Sequence, residues 1–369
     1  MKRILLASTA IVAFAGAAAA EVTFSGAVEL GYNTDDTMDG VFSAEDNNEG
    51  FYGTVDLGVG FSQELDNGIT AAVEFDIEFD EGIAGDLSFD DALLSLSSDT
   101  AAMYFGVTSF AAESLWSSAG DMEADGFSEA SDEIVLKGTM TYGNVEAALS
   151  YALTADDGTS VSDLGDDDMD QMSLGLVGTF GNFTVGAAYQ EAASSIDETM
   201  GNGDFVTDEV FGIFASTSFS GADVTVAYAQ EEAESSMGVK VAYPFGPVTA
   251  TAYYVVEDSD AGDVDDNWGI NLAYENGPAA VSFDYQDDQG TAKMGLEGSY
   301  DIGNGLVAYA GYLTQDDTDD RYYVAGGYDL GGGAALLVSY AIDDDDVDED
   351  EIGAGDYQRG TTVELTFEF

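Results

Sequence analysis

From Glu21 to Phe369 apolar and polar side chains alternate with period two almost without a break, which restricts the chain to strands with one oily and one wet face. In the first such stretch Val22, Phe24, Val28 and Leu30 share a face, against Thr23, Ser25 and Glu29 on the other. From Ile69 the contrast sharpens: Ile69, Val73, Phe75, Ile77 and Phe79 oppose Glu74, Asp76 and Glu78. Three successive carboxylates cannot face a dry core, so their face is wet. About twenty strands can be counted, from 21–32 to 360–369. Tight turns such as Asn67-Gly68, Gly143-Asn144 and Ser220-Gly221 alternate with long acidic connections at 33–50, 154–170, 191–208, 257–266, 316–320 and 343–358. The three prolines are expected in turns, where a missing donor does no harm. The whole reads as an up-and-down antiparallel meander, turns at one end and loops at the other. The phases of 87–97 and 306–314 stay ambiguous.

Alternation serves a soluble sandwich as well as a membrane barrel, and the composition of the two faces separates them. The apolar face repeatedly ends in rings at the strand tips, among them Tyr32, Tyr142, Phe180, Phe219, Tyr243, Tyr254, Tyr300 and Tyr340. Rings so placed match the interfacial girdles of outer-membrane barrels. Between the tips lie Val, Ala, Leu, Gly and Ile, adequate against lipid but poor for a jigsaw core. Strands cross hydrocarbon without unpaired backbone groups only as a closed sheet. The expected fold is therefore all-β: a transmembrane antiparallel up-and-down β-barrel of sixteen to twenty strands. At that size side chains cannot fill the interior, and water does.

The 369 residues include 73 Asp and Glu against 7 Lys and Arg, with no His and no Cys. No Ser-His-Asp triad, thiol nucleophile, disulfide or imidazole-thiolate metal site can be built from this set. A carboxylate pair of the glycosidase kind is conceivable among so many acids, but nothing singles one out, and the chain reads as a non-enzyme. A formal charge of −66 also excludes nucleic acid as a partner, because phosphate contacts need clustered bases. The remaining partners are small hydrophilic solutes, ions and lipid.

Residues 1–20, MKRILLASTAIVAFAGAAAA, place Lys2 and Arg3 ahead of an apolar run ending in small residues, the pattern of a secretory signal peptide cut after Ala20. The barrel is then expected over 21–369. The final stretch, TTVELTFEF, puts Val363, Leu365, Phe367 and Phe369 on one face and stops on an aromatic. It resembles the signal that Gram-negative outer-membrane proteins present, through a terminal residue such as Phe369, to their assembly machinery.

One connection departs from the scheme. Roughly 25 residues separate Val107 from Glu133, with a helical piece at Ala111 to Trp116 followed by scattered acids. A loop that long inside a compact fold is usually functional. With EVTFSGAVELGYN at the start, TFGNFTVGAAY and YDLGGGAALLVSYA at the turns, and the closing TTVELTFEF, the chain resembles the general diffusion porins of alphaproteobacteria, those of the Rhodobacter group in particular. The resemblance implies homotrimers of barrels, each narrowed by its third long loop folded into the pore, a place that 108–132 takes here. That family usually has sixteen strands, and the surplus here falls in two hairpins between about 236 and 305. It also sets an arginine cluster opposite acids at the constriction, which this chain cannot supply.

Of the five bases after residue 20, Lys137, Lys240, Lys293 and Arg321 carry the polar phase of their strands and are expected to line the pore wall. Glu113, Asp121, Glu123, Asp125, Glu129 and Asp132 would face them from the loop. Two readings stay open: a weak transverse field across a narrow zone, or bases that merely offset wall acids such as Glu74, Asp76, Glu78 and Glu297. Acidic walls favour cations in either case. No cofactor is required; calcium or magnesium ions could bind the acidic loops, and so high a charge also fits a salty medium. The expected function is an outer-membrane channel for passive diffusion of small hydrophilic solutes and ions, with cation preference. The alternatives are a substrate-selective channel, or a secreted salt-adapted protein of adhesin or surface-layer type.

Overall fold

The computed structural model describes residues 20–34, 50–79, 87–129, 134–153, 169–193, 205–259, 262, 264–316, 320–342 and 357–369. Residues 1–19, Asp132 and the acidic run from Asp343 to Glu351 lie outside these. Twenty strands make up nearly all of the rest. The first ten are β1 (Glu21–Asn33), β2 (Gly50–Glu64), β3 (Thr70–Phe79), β4 (Leu87–Ser97), β5 (Ala101–Val107), β6 (Ile134–Tyr142), β7 (Val145–Leu153), β8 (Met169–Phe180), β9 (Phe183–Gln190) and β10 (Val210–Phe219). The second ten are β11 (Ala222–Glu231), β12 (Glu234–Phe245), β13 (Val248–Ser259), β14 (Asn267–Asn276), β15 (Ala279–Asp288), β16 (Thr291–Gly303), β17 (Leu306–Gln315), β18 (Arg321–Gly331), β19 (Ala334–Ile342) and β20 (Gly360–Glu368). A short helix, α1 (Ala111–Leu115), lies between β5 and β6.

Each strand pairs antiparallel with its successor, and β20 returns to β1 in a register running from Ala27 opposite Glu368 to Asn33 opposite Thr362. Phe369 completes this seam, its amide and carbonyl each bonded to Gly26 at 3.0 Å. The closed ring leaves no sheet edge, the condition for strands to sit in hydrocarbon, where each unpaired backbone group costs several kcal/mol.

The burial pattern is inside out. In β8, Gln171 and Ser173 are fully buried while Leu174 and Leu176 are 43% and 46% exposed. Rings border this oily surface at both ends of the strands. Phe211 and Phe219 stand on the outer face at opposite ends of β10. Their eight-residue separation is about 27 Å of strand at about 3.4 Å per residue, and a tilt of about 40° projects it to about 21 Å, near the roughly 25 Å apolar band of outer-membrane barrels.

Two details differ from the sequence reading, and a third settles what it left open. Pro244 lies within β12 instead of a turn, opposite Thr249 and beyond the last pairing of that strand with β11, so its missing N–H breaks no ladder on that side. The loop end is not exclusively long: Glu232-Ala233 and Gln289-Gly290 are two-residue turns there. They are possible because Glu232 and Gln289 accept φ of 45° and 46°, as mirror-image hairpin turns require. The phase of β17 is settled by Leu313, which is buried inside while Tyr312 is exposed outside.

Candidate functional site

The connection between β5 and β6 turns into the barrel and runs along its inner wall from β6 as far as β15. Ala-Ala-Glu-Ser-Leu favours helix, and α1 forms, but its N-cap, Phe110, has no side chain to accept the first amides. The wall supplies them. Ser150 Oγ on β7 accepts the Ala111 N–H at 2.9 Å, and Ser173 Oγ on β8 accepts the Ala112 N–H at 2.7 Å. Further along, Ser236 Oγ on β12 accepts the Ala124 N–H at 2.9 Å, and Gln190 Oε1 on β9 accepts the Ser128 N–H at 2.7 Å. Asn267 Nδ2 on β14 donates to the Asp121 carbonyl at 3.2 Å and to Glu123 Oε1 at 3.1 Å. Gln286 on β15 donates to the Asp121 carboxylate. Ser150, Ser173, Gln190, Ser236, Asn267 and Gln286 are all buried beneath the loop.

Apolar packing reinforces these bonds. Trp116 meets Phe127 and Phe214 with ring centroids 5.4 and 5.8 Å apart, and its Nε1 donates to Asp125 at 2.9 Å. Ala119 and Met122 pack against Ala227, Ala229 and Val255 of the wall. The backbone can come this close because the wall is glycine where it passes. A Cβ on Gly175 would stand 2.3 Å from the Ala111 carbonyl oxygen, and one on Gly238 2.5 Å from that of Ala119.

The acids expected on the loop therefore have distinct surroundings. Glu113 is half-buried on α1, and its carboxyl is raised above the usual range, first by burial and then by the charge of Glu129. Asp121, Glu123 and Asp125 are bonded as described, Glu129 is exposed, and Asp132 lies outside the described residues. On β3, Glu74 and Asp76 face inward beside Gly60 and Gly58, and the backbone of Glu78 pairs with that of Asp56.

The four bases all belong to inward-facing positions, and one of them, Lys137, fastens the start of the loop. Lys137 Nζ on β6 donates to the Ser109 carbonyl at 2.8 Å and to Ser109 Oγ at 3.0 Å, and lies 5.5 Å from the centre of the Tyr104 ring. Lys293 Nζ on β16 pairs with Asp288 at 3.0 Å. Asp288 in turn has a carboxylate oxygen within 4.8 Å of those of Asp121 and Glu123, so the lysine supplies the counter-charge of that acidic group. Lys240 stands on β12, exposed within the lumen, and Arg321 is buried at the start of β18.

Sequence reasoning missed the wall residues that hold the loop. Serine, glutamine and asparagine are what any lumen-facing strand displays, so their hydrogen bonds leave no mark. Inward glycines on β8, β10 and β12, at Gly175, Gly212 and Gly238, are the one signal that was available, for a glycine in a strand interior marks a close approach of another backbone.

Comparison with known proteins follows the same lines. The porin of Rhodobacter capsulatus is 27% identical over 187 residues, 51% of this chain, and the match spans 58% of that relative's length. Among solved structures, a mutant of Rh. blastica porin carrying five substitutions matches 95% of this chain and all of its own at 15% identity, with a TM-score of 0.47. A second mutant of that porin, with two substitutions, covers 80% of this chain at 17% identity, with a TM-score of 0.49. The family model for Gram-negative porins matches residues 7–348. Because that match extends from before β1 to past β19, a range that includes the inward-folded loop, the chain belongs to the Gram-negative porin family.

Proposed function

We propose that the barrel is a water-filled channel of the cell outer membrane through which small hydrophilic solutes and ions diffuse passively, with cations preferred. The carrying observation is the inverted burial pattern: exposed Leu and Val on the outside, and on the inner face glutamine, serine, asparagine and carboxylates that demand water where the loop does not cover them. The third loop narrows the lumen on the side of β6 to β15. Cation preference follows from charge. A formal −66 against so few bases, two of which, Lys137 and Lys293, are already bonded, leaves a field of one sign in the aqueous space. Of the two readings of the bases, the Lys293–Asp288 pair supports local charge compensation at that position. Homotrimer formation, delivery to the assembly machinery through Phe369 and removal of residues 1–20 complete the reading, as the family resemblance implies.

The test is a planar bilayer with a salt gradient. Discrete current steps with a reversal potential of cationic sign are expected. Steps with anionic sign would overturn the selectivity, and detergent-free solubility without conductance would favour the secreted acidic protein instead.

A further inference from the structure

The inner wall carries a feature that passive diffusion does not require. Between β14 and β18, a pocket of about 180 Å³ is lined by Glu275, Ser282, Glu297, Ser299, Tyr309 and Tyr323 among others, and no lining residue is basic. Their strand phases turn these side chains toward the lumen. A cavity of about 150 Å³ holds a benzene ring, so this one admits a group of that size.

The pocket's aromatic side is held in place from several directions. Tyr323 lies flat on the wall because its neighbour on β17 is Gly311, where a Cβ would stand 2.2 Å from the ring. Tyr323 OH donates to Glu297 Oε1 at 3.0 Å, which fixes the carboxylate at the pocket's edge. From the connection before β20, Tyr357 reaches in and lies tilted against Tyr323, with ring centroids 4.4 Å apart at 35°. Burial and the neighbouring Tyr309 and Glu297 raise the Tyr357 hydroxyl to about 12, so it stays neutral and adds no charge of its own. Tyr309 comes from the adjoining position on β17 and lies beside Gly327.

A ring face, two carboxylates, hydroxyls and no base constitute the chemistry that recognises an alkylated ammonium group: the cation meets the ring quadrupole and the carboxylates offset its charge. An anion would find only repulsion here. A neutral sugar could stack on the ring and bond the hydroxyls, but would leave the two carboxylates without a counter-charge. We propose that this pocket is a binding subsite for small organic ammonium ions, entered from the lumen, with Tyr309 as the ring contact and Glu297 as the charge contact. The inference rests on the channel reading for the ligand's route, but not for the binding itself.

The experiment therefore measures binding apart from conduction. The detergent-solubilised protein is titrated calorimetrically with tetramethylammonium chloride at high, constant ionic strength, with sodium chloride and glucose as comparators. Saturable uptake of tetramethylammonium is expected, weakened at least tenfold in Tyr309→Leu and in Glu297→Gln, and retained in Tyr309→Phe, which keeps the ring. Glu297→Gln preserves shape and an acceptor for Tyr323, so its loss of binding reads charge and not folding. Uptake that is linear in concentration, equal for sodium, unaffected by both variants, or matched by glucose would overturn the proposal. Bilayer current from the same preparations reports separately on the channel reading, whichever way the titration falls.

Discussion

Replacing Ser150 and Ser173 together by alanine isolates what the inner wall does for the loop. The two hydroxyls accept the Ala111 and Ala112 amides at 2.9 and 2.7 Å, and all four residues are buried. Alanine keeps the strand and removes only the acceptors, so two buried N–H groups lose their partners at about 1–3 kcal/mol each. The docked loop is then weakened by about 2–6 kcal/mol, a factor of roughly 30 to 10⁴ in the ratio of undocked to docked loop, at about 1.4 kcal/mol per tenfold. The barrel ladder itself is untouched. Limited digestion with a glutamate-specific protease reads the effect at Glu113, Glu123 and Glu129, and cleavage within the loop is expected to accelerate at least thirtyfold where opening limits it. Single-channel steps are expected to be uniform in the parent and to spread over several levels in the double variant. Ser218→Ala, at an exposed position near a tight turn, serves as the control and is expected to change neither. Parental cleavage rates and a single conductance level in the double variant would refute the idea that wall hydroxyls hold the loop.

The other predictions concern space, protonation and closure. Gly238→Val places a side chain where the Ala119 carbonyl lies, and is expected to raise loop cleavage without preventing the barrel from forming, as judged by strand content in circular dichroism. Glu113 has a raised folded-state value, so ionising it opposes docking: the loop is held most firmly below the ordinary carboxyl value of 4.5 and loosens as pH rises from there through the raised value. Cleavage measured across that window is expected to climb with pH in the parent and to stay flat in Glu113→Gln. Gly26→Val would set a side chain 2.5 Å or less from the Phe369 ring at the β20 to β1 seam, and a lower yield of membrane-inserted protein in cell fractionation is expected.

How much of this was legible beforehand depended on whether a feature repeats. The strands were legible because nearly every one displays the same two-residue period, and the stretches 21–32, 87–97 and 360–369 return, to within a residue, as β1, β4 and β20. The inward loop was legible from its length and from the resemblance. Its attachment was not, since Ser150, Gln190 or Asn267 look the same whether they touch water or a backbone amide. Lys137 and Lys293 illustrate the same gap: their phase pointed them inward, but only folding brings Ser109 and Asp288 to them. The aromatic pocket was hidden for a different reason. Tyr309 and Tyr323 stand one β-ladder apart, but Tyr357 joins them from the far side of a long connection, a proximity that no local pattern encodes.

The central claim, lipid outside and water within, is tested most directly by placing single cysteines in this cysteine-free chain at neighbouring positions of opposite phase, Asn271 and Leu272 on β14 and Ala325 and Val324 on β18, and attaching a nitroxide to each. In reconstituted bilayers, labels at Leu272 and Val324 are predicted to be relaxed by oxygen dissolved in the lipid, and those at Asn271 and Ala325 by a water-soluble nickel chelate. Equal accessibility at adjacent positions, or the reverse assignment, would contradict the account.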